Sequence, residues 1–372
     1  MTGSPTLDAQ DGARPTIGIV GAGAMGAGVA QVALEAGSEV VLYDVDPGAL
    51  ERAREGISRG LERRGASLDL DADSIDAWAA GRLARLREAA TLDGIATEAE
   101  LVIEAALEDI GLKREIFRAL DAGAPADAIL ASNTSALSIA DIASVTAHPE
   151  RVMGLHFFNP VPRMGLVEVI AGPATTPDVV ARAEEVVRTW GKTPIRSRDS
   201  PGFIVNRVNR PYTIEALRLL EADEATVEAI DKAMRDADFP LGPFELMDLT
   251  GIDVTLAAAR GVWEGLGRPD RLRPSEIQET LVAQGRLGRK TGGGFYDYVD
   301  GRRATVSAEF RAPAGSSTMA AADIETAILE AIADEARRAV ADGIASEGDI
   351  DLALKLGAGH PAGPFERQAA ER

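Results

Sequence analysis

Cysteine is absent from the 372 residues, which removes disulfides, zinc-thiolate sites and thiol nucleophiles together. Aromatic residues make up only 4%, and lysines are few, so the basic residues are nearly all arginine. No apolar run is long enough to span a bilayer, and residues 1–14 read as a polar, disordered leader without a signal-peptide core. These absences point to a cytoplasmic protein. Positive charge is short as well. The formal net charge of −20 argues against nucleic acid or an anionic membrane as a partner and reads as a feature of the solvated surface. With 45% hydrophobic residues the composition is that of an ordinary globular chain, long enough for two or three domains and a sizeable core.

What is present is organised around Gly154-Leu155-His156-Phe157-Phe158-Asn159-Pro160, followed by Glu168 within Leu166-Val167-Glu168-Val169-Ile170. Apolar, β-branched runs at 151–155 and 166–170 read as short buried strands. The connection between His156 and Glu168 is too short for a crossover helix, so the two strands most simply pair antiparallel. That arrangement sets an imidazole beside a carboxylate, as general-base chemistry requires. The carboxylate fixes the tautomer and stabilises the imidazolium that forms. Taken alone, His156 reads more readily as a core histidine at a strand end.

At the N-terminal end, the strand Thr16-Ile17-Gly18-Ile19-Val20 runs directly into Gly21-Ala22-Gly23-Ala24-Met25-Gly26 and then a helical run, Ala27 to Ala36. GxGxxG is a weak signal by itself, but its mechanism requires this strand-to-helix setting. Gly21 allows the tight turn, Gly23 lets the backbone approach a pyrophosphate, and Gly26 lets helix and strand pack closely. The phosphates then face the helix N-terminus, where the N–H groups of Ala24 and Met25 lie. A second strand, 39–43, ends in Asp44, an acid placed to bind ribose hydroxyls and repel a 2′-phosphate, which selects NAD over NADP. Strands at 101–104, 128–132 and 193–197, with helices at 109–122 and 177–190, complete an α/β domain over 15–199. This is a Rossmann-type doubly wound sheet. Ligands bind beyond the carboxyl ends of such strands, where Glu108, Ser135 and His156 all fall.

Between 47 and 90 lie two arginine-rich helical stretches. Arg52, Arg59 and Arg63 share a face, with Arg54 and Arg64 nearby. An anion site and a solvated face paired with Glu51, Glu55 and Glu62 both remain open for this cluster. From residue 200 the texture is helical. A long helix is expected from Phe203 to about Glu221, then helices over 226–236 and 246–266, giving an all-α domain at 200–298. The run Gly288-Arg289-Lys290-Thr291-Gly292-Gly293-Gly294 lacks the spacing and the preceding strand of a phosphate loop. A Gly-, Pro-, Ser- and Arg-rich stretch follows and reads as a linker, 299–320. Beyond it, 321–372 partly repeats the helical domain. Glu215-Ala216, Ile230-Asp231 and Pro240-Leu241-Gly242-Pro243-Phe244-Glu245 recur as Glu335-Ala336, Ile350-Asp351 and Pro361-Ala362-Gly363-Pro364-Phe365-Glu366.

With these motifs, and with Ile103-Glu104-Ala105, Ser132-Asn133-Thr134-Ser135 and Pro201-Gly202-Phe203-Ile204-Val205-Asn206-Arg207, the chain resembles the L-3-hydroxyacyl-CoA dehydrogenase family, the 3-hydroxybutyryl-CoA dehydrogenases included. The resemblance implies His156 as catalytic base and Glu168 as its orienting acid. It implies Ser135 and Asn206 as substrate contacts, and Glu108, Lys113, Asn159 and Lys290 as residues lining the NAD site. It further implies an acyl-CoA substrate, fatty-acid β-oxidation chemistry, and Arg59, Arg63 and Arg64 as candidates for the coenzyme A phosphates. Single-repeat members dimerise through the helical domain. The second copy is therefore expected to form an internal pseudo-dimer, its 324–340 helix packing on residues 203–245, with a homodimer as the alternative. Gly60 stands near a position where some members carry a serine towards coenzyme A. Two other readings fit the same scaffold: a dehydrogenase of a non-CoA hydroxy acid, like the gulonate dehydrogenase and lambda-crystallin group, or a non-catalytic NAD-binding protein.

Overall fold

The computed structural model describes residues 14–68, 71–311 and 319–370. The leader expected at 1–14 and part of the expected linker fall largely outside that range. The elements from the N-terminus are β1 (Ile17–Val20), α1 (Ala24–Glu35), β2 (Val40–Tyr43), α2 (Pro47–Ala66), α3 (Ala72–Leu83), β3 (Leu86–Glu88), α4 (Leu92–Glu98) and β4 (Leu101–Glu104). They continue as α5 (Ile110–Gly123), β5 (Ile129–Ser132), α6 (Ile139–Ala143), β6 (Val152–Phe157), β7 (Leu166–Ala171), α7 (Pro177–Thr189) and β8 (Thr193–Arg198). The strands form one sheet in the order β3-β2-β1-β4-β5-β6-β7-β8.

Parallel register runs from β3 through β6, with Ile17 opposite both Val40 and Leu101, Leu101 opposite Ile129, and Leu130 opposite Val152. Strands β1, β4 and β5 are buried along their whole length. That is why their sequences are continuous apolar runs with no alternation: helices cover both faces of a parallel sheet. The order doubles back at β1, so the carboxyl ends of β1 and β4 flank the switch point at which such sheets bind ligands.

Two compact units divide the chain. The first comprises the described residues up to Thr134 with Ile139–Val167 and Ala174–Pro194. The second comprises Ser135–Ser138, Glu168–Pro173 and the described residues from Ile195 onward. Its helical part runs α8 (Val205–Val208), α9 (Arg210–Glu221), α10 (Val227–Asp236), α11 (Pro243–Thr250), α12 (Ile252–Gly265) and α13 (Glu276–Ala283). The hairpin β9 (Tyr296–Val299) and β10 (Arg302–Val306) leads to α14 (Ala321–Ala341), α15 (Glu347–Ala358) and α16 (Pro364–Ala370).

Three expectations are corrected here. The helix expected over 203–221 is broken into α8 and α9, and Phe203, at φ 49°, sits in the left-handed region just before it. The helix expected over 246–266 is broken at Gly251, whose φ of 105° ends α11 and starts α12. The stretch read as linker contains strand β10, which pairs antiparallel with β9, Val299 opposite Arg302. The partial repeat is structural as well as sequential. Asp231 accepts the Phe244 and Glu245 N–H groups at 2.9 and 3.2 Å, and Asp351 accepts those of Phe365 and Glu366 at 2.9 and 3.1 Å. Helix α14 packs on α8, α9 and α10 through buried Ile324, Ile328, Ile332 and Ala336. Where the copies meet, His360 sits edge-on to Phe239, ring centroids 4.9 Å apart. Among the described residues no helix is long and apolar enough to cross a membrane.

Candidate active site

The glycine loop at the end of β1 shows why its spacing is needed. Gly21 has φ 103°, and a Cβ there would stand 2.6 Å from the Ala105 carbonyl oxygen. At Gly26 a Cβ would meet the Gly21 oxygen at 1.8 Å, so only glycine lets α1 approach the turn. Gly23 is different: a Cβ there meets nothing within 4 Å, so the loop turns an open face outward. Gly23 caps α1 without a side-chain bond, and the first turn, beginning Ala24-Met25, holds no acidic residue. Its N–H groups and helix dipole are thus available to an anion. Asp44, at the end of β2, accepts the Ala22 N–H at 2.7 Å and that of Asp46 at 2.9 Å, which holds its carboxylate against the loop. Open backbone donors, space before them and an acid on the next strand fit the pyrophosphate and ribose of a dinucleotide.

Beyond β4 the chain builds a polar cluster that sequence reading did not anticipate. Glu104 is fully buried. It receives Lys113 Nζ at 2.7 and 2.9 Å, Ser132 Oγ at 2.6 Å and the Ala106 N–H at 2.7 Å. Lys113 also lies 3.3 Å from Glu108, and Glu108 accepts Thr134 Oγ1 at 2.7 Å. Lys113, expected to line the cofactor site, is only 1% exposed. Its ammonium lies between the two acids, Glu104 and Glu108. A spacing of nine residues between Glu104 and Lys113 belongs to no helix or strand repeat, which is why the pair went unread.

His156 is the penultimate residue of β6 and is buried, its ring 4.5 Å from that of Phe158. The next residue, Phe157, donates its N–H to Asn133 Oδ1 at 2.8 Å, tying the end of β6 to the segment after β5. Asn159 follows on the exposed side. Asn133 belongs to a recognised motif, yet this anchoring role has no signature in the sequence.

In the second unit, Glu168 on β7 is fully buried. Its Oε1 accepts the N–H groups of Ile204 and Val205 at 3.0 and 2.8 Å. Asn206, two residues into α8, donates from Nδ2 to the Ser135 carbonyl at 3.2 Å. Glu168, Ser135 and Asn206 thus share one unit and one local network. Lys290 lies in the same unit, with its Nζ on Asp253 at 2.6 and 2.8 Å.

Arg52, Arg59, Arg63 and Arg64 of α2 are exposed. Arg52 pairs with Asp46 and Arg59 with Glu55. Arg64 donates to Ser67 Oγ and stands 3.8 Å from Glu35. With Arg14, Arg82, Trp78 and Trp190, it lines a cavity of about 200 Å³. Arg63 is exposed on the same helix. Among the described residues no group of three or more His, Asp or Glu side chains is arranged to hold a metal ion.

Comparison with known proteins agrees with this layout. The model of the 3-hydroxyacyl-CoA dehydrogenase NAD binding domain matches residues 16–200. The model of the 3-hydroxyacyl-CoA dehydrogenase C-terminal domain matches residues 202–298 and again 324–368. The 3-hydroxyadipyl-CoA dehydrogenase of Escherichia coli (strain K12) is 45% identical over 295 residues. That alignment covers 79% of this chain but only 61% of that relative's length. The mitochondrial hydroxyacyl-coenzyme A dehydrogenase of Rattus norvegicus is 42% identical, covering 75% of this chain and 90% of its own. A crystal structure of 3-hydroxybutyryl-CoA dehydrogenase from Escherichia coli K12 superposes with a TM-score of 0.85 at 35% identity, over 96% of this chain and 92% of that one. The chain belongs to the 3-hydroxyacyl-CoA dehydrogenase family, with an NAD-binding domain.

Proposed function

We propose that this protein catalyses the reversible oxidation of an L-3-hydroxyacyl-CoA to the 3-ketoacyl-CoA. NAD, when bound on the glycine loop and Asp44, supplies the nicotinamide carbon that accepts the hydride. His156 takes the proton of the 3-hydroxyl, and Glu168 orients the imidazole and balances its charge. Ser135 and Asn206 hold the hydroxyl or thioester oxygen, fixing the reacting carbon for transfer. The observation that carries the reading is the network around Glu168. Its carboxylate is bonded to the backbone of the same turn that presents Asn206, and Asn206 reaches Ser135. Three of the four residues implied in the chemistry are therefore positioned by one another. The named relatives, whose substrates are CoA thioesters, support the substrate class.

Arg59, Arg63 and Arg64, exposed on α2, are assigned to the coenzyme A phosphates. Asp44 sets the preference for NAD over NADP. The second helical copy takes the place of a partner subunit, giving a pseudo-dimeric helical unit within one chain. The deciding experiment compares NADH oxidation by the purified protein with acetoacetyl-CoA and longer 3-ketoacyl-CoA esters against NAD reduction with gulonate-type hydroxy acids. Turnover confined to the CoA esters is expected. Turnover of the free acids alone would overturn the proposal.

A further inference from the structure

The one-turn helix α8 carries Asn206, and a helix of four residues is far too short to hold its own shape. Its geometry must be imposed from outside. On one side Glu168 receives the Ile204 and Val205 N–H groups. On the other side the anchor is Arg207, the residue after Asn206, which is 1% exposed. Its Nε donates to Glu335 Oε1 at 2.7 Å, and its Nη2 to Asp342 Oδ2 at 2.6 Å. Both acids belong to the second helical copy, Glu335 within α14 and Asp342 at its end. Glu335 is itself 1% exposed. A guanidinium and a carboxylate this deeply buried are tolerated only together, because removing either leaves an uncompensated charge.

The alignment of the two copies shows that this contact is kept in one direction only. At the offset of 120 residues, Glu335 stands opposite Glu215, Thr326 opposite Asn206, and Ala327 opposite Arg207. A symmetric pair of copies would make the contact twice, with an arginine at 327 reaching Glu215. That arginine is missing, and Glu215 pairs instead with Arg218 on its own helix at 3.5 Å. The half that survives is the one ending beside Asn206.

We propose that the second helical copy holds the Asn206 turn in place, with Glu335 and Asp342 as positioning residues acting through Arg207. The inference rests on the role proposed above for Asn206 and Glu168. Arg271 provides the internal control. It bonds the same Glu335, Nε to Oε2 at 2.6 Å, but among the described residues it makes no bond to α8. If Glu335 merely glues helices together, losing Arg271 and losing the Arg207 contact should act alike.

The test uses the full chain and the variants Glu335→Gln, Asp342→Asn and Arg271→Met. It reads kcat and KM with acetoacetyl-CoA, NADH affinity, unfolding midpoint, and amide hydrogen exchange over residues 203–208. Glu335→Gln and Asp342→Asn should lower kcat about tenfold or more with NADH affinity unchanged, since a misplacement of about 1 Å is that costly. Both should speed exchange at Ile204 and Val205, while Arg271→Met stays within about twofold of wild type. Should Glu335→Gln fail to fold, Asp342→Asn, whose carboxylate is 56% exposed, carries the same reading. Normal kcat and normal exchange in the acid variants, or an equal loss in Arg271→Met, would overturn the inference. A wild type inactive on every CoA ester would refute the proposed function instead, and the exchange measurement would still decide this one.

Discussion

Two of the three histidines are buried to the same extent, His156 and His360, each 6% exposed. In the proposed reaction His156 takes the proton of the 3-hydroxyl, whereas His360 packs inside the helical unit. His156→Gln should therefore cost about 10² or more in kcat, with NADH affinity retained. Glu168→Gln should cost a smaller but clear factor, because the imidazole keeps its chemistry and loses its orienter. Steady-state kinetics with acetoacetyl-CoA measure both, and near-normal turnover in His156→Gln would remove it from the site. His360 is packed against Phe239 and Tyr212, with Nε2 on Asn209 Oδ1 at 2.7 Å. Burial, helped by Arg367, pushes its pKa down from 6.5 to about 3. Unfolded, it takes a proton below about pH 6.5, whereas folded it stays neutral, so its contribution is intact above 6.5 and is lost progressively as the pH falls. At about 1.4 kcal/mol per pH unit, acidification from 7.5 to 5 should cost the wild type about 2 kcal/mol through this residue. His360→Phe should be free of that loss. Burial pushes Asp231 and Asp248 up to about 7 and about 6, and they act in the opposite sense as the pH rises. Comparing variant with wild type at each pH in urea melts cancels them. The glycine loop, Ser135, His156, Glu168 and Asn206 could be named as candidates from the sequence because each lies in a motif. Asn133 and Glu104 were not singled out as anchors, because buried hydrogen bonds across nonlocal spacings leave no periodic trace.

At the scale of elements, hydrophobic period and glycine spacing were enough for β1, α1, β2, β4 and β5. The failures were elements without an apolar face. Strand β10 is exposed over four of its five residues, and β3 has three residues of which two are exposed, so neither shows alternation. Nor does any sequence pattern announce a phenylalanine at positive φ, as Phe203 adopts before α8. The glycine loop allows a sharp test of packing against binding. Gly26→Ala forces a Cβ onto the Gly21 oxygen and should lower both the unfolding midpoint and NADH affinity. Gly23→Ala meets nothing in the protein at a φ of −68°, so its midpoint should hold within a degree or two. Its methyl group would project into the space assigned to the pyrophosphate, and NADH binding should weaken by about tenfold or more. Calorimetry and fluorescence titration separate the two. Equal behaviour of the variants would mean that Gly23 does not face the cofactor.

For the whole molecule, the sequence repeat was visible, and the packing of its second copy was expected from the family resemblance, whose single-repeat members dimerise through the helical domain. Deleting the residues after about 310 strips that helix from α8, α9 and α10. The truncated protein should then dimerise or aggregate, whereas the full chain stays monomeric. Light scattering checks both forms, and two monomers of equal stability would show that the copy covers nothing. The meeting of His360 with Phe239 carries a wider consequence. These residues occupy the same place in the two copies, at an offset of 121, and equivalent positions that touch lie at the axis relating them. In a homodimer a residue on that axis can only face itself, because a single gene writes both sides and every surface must be self-complementary. Fusing the copies lifts that constraint. An unlike pair such as imidazole against benzene becomes possible at the centre of the contact, and each side can change without obliging the other to follow.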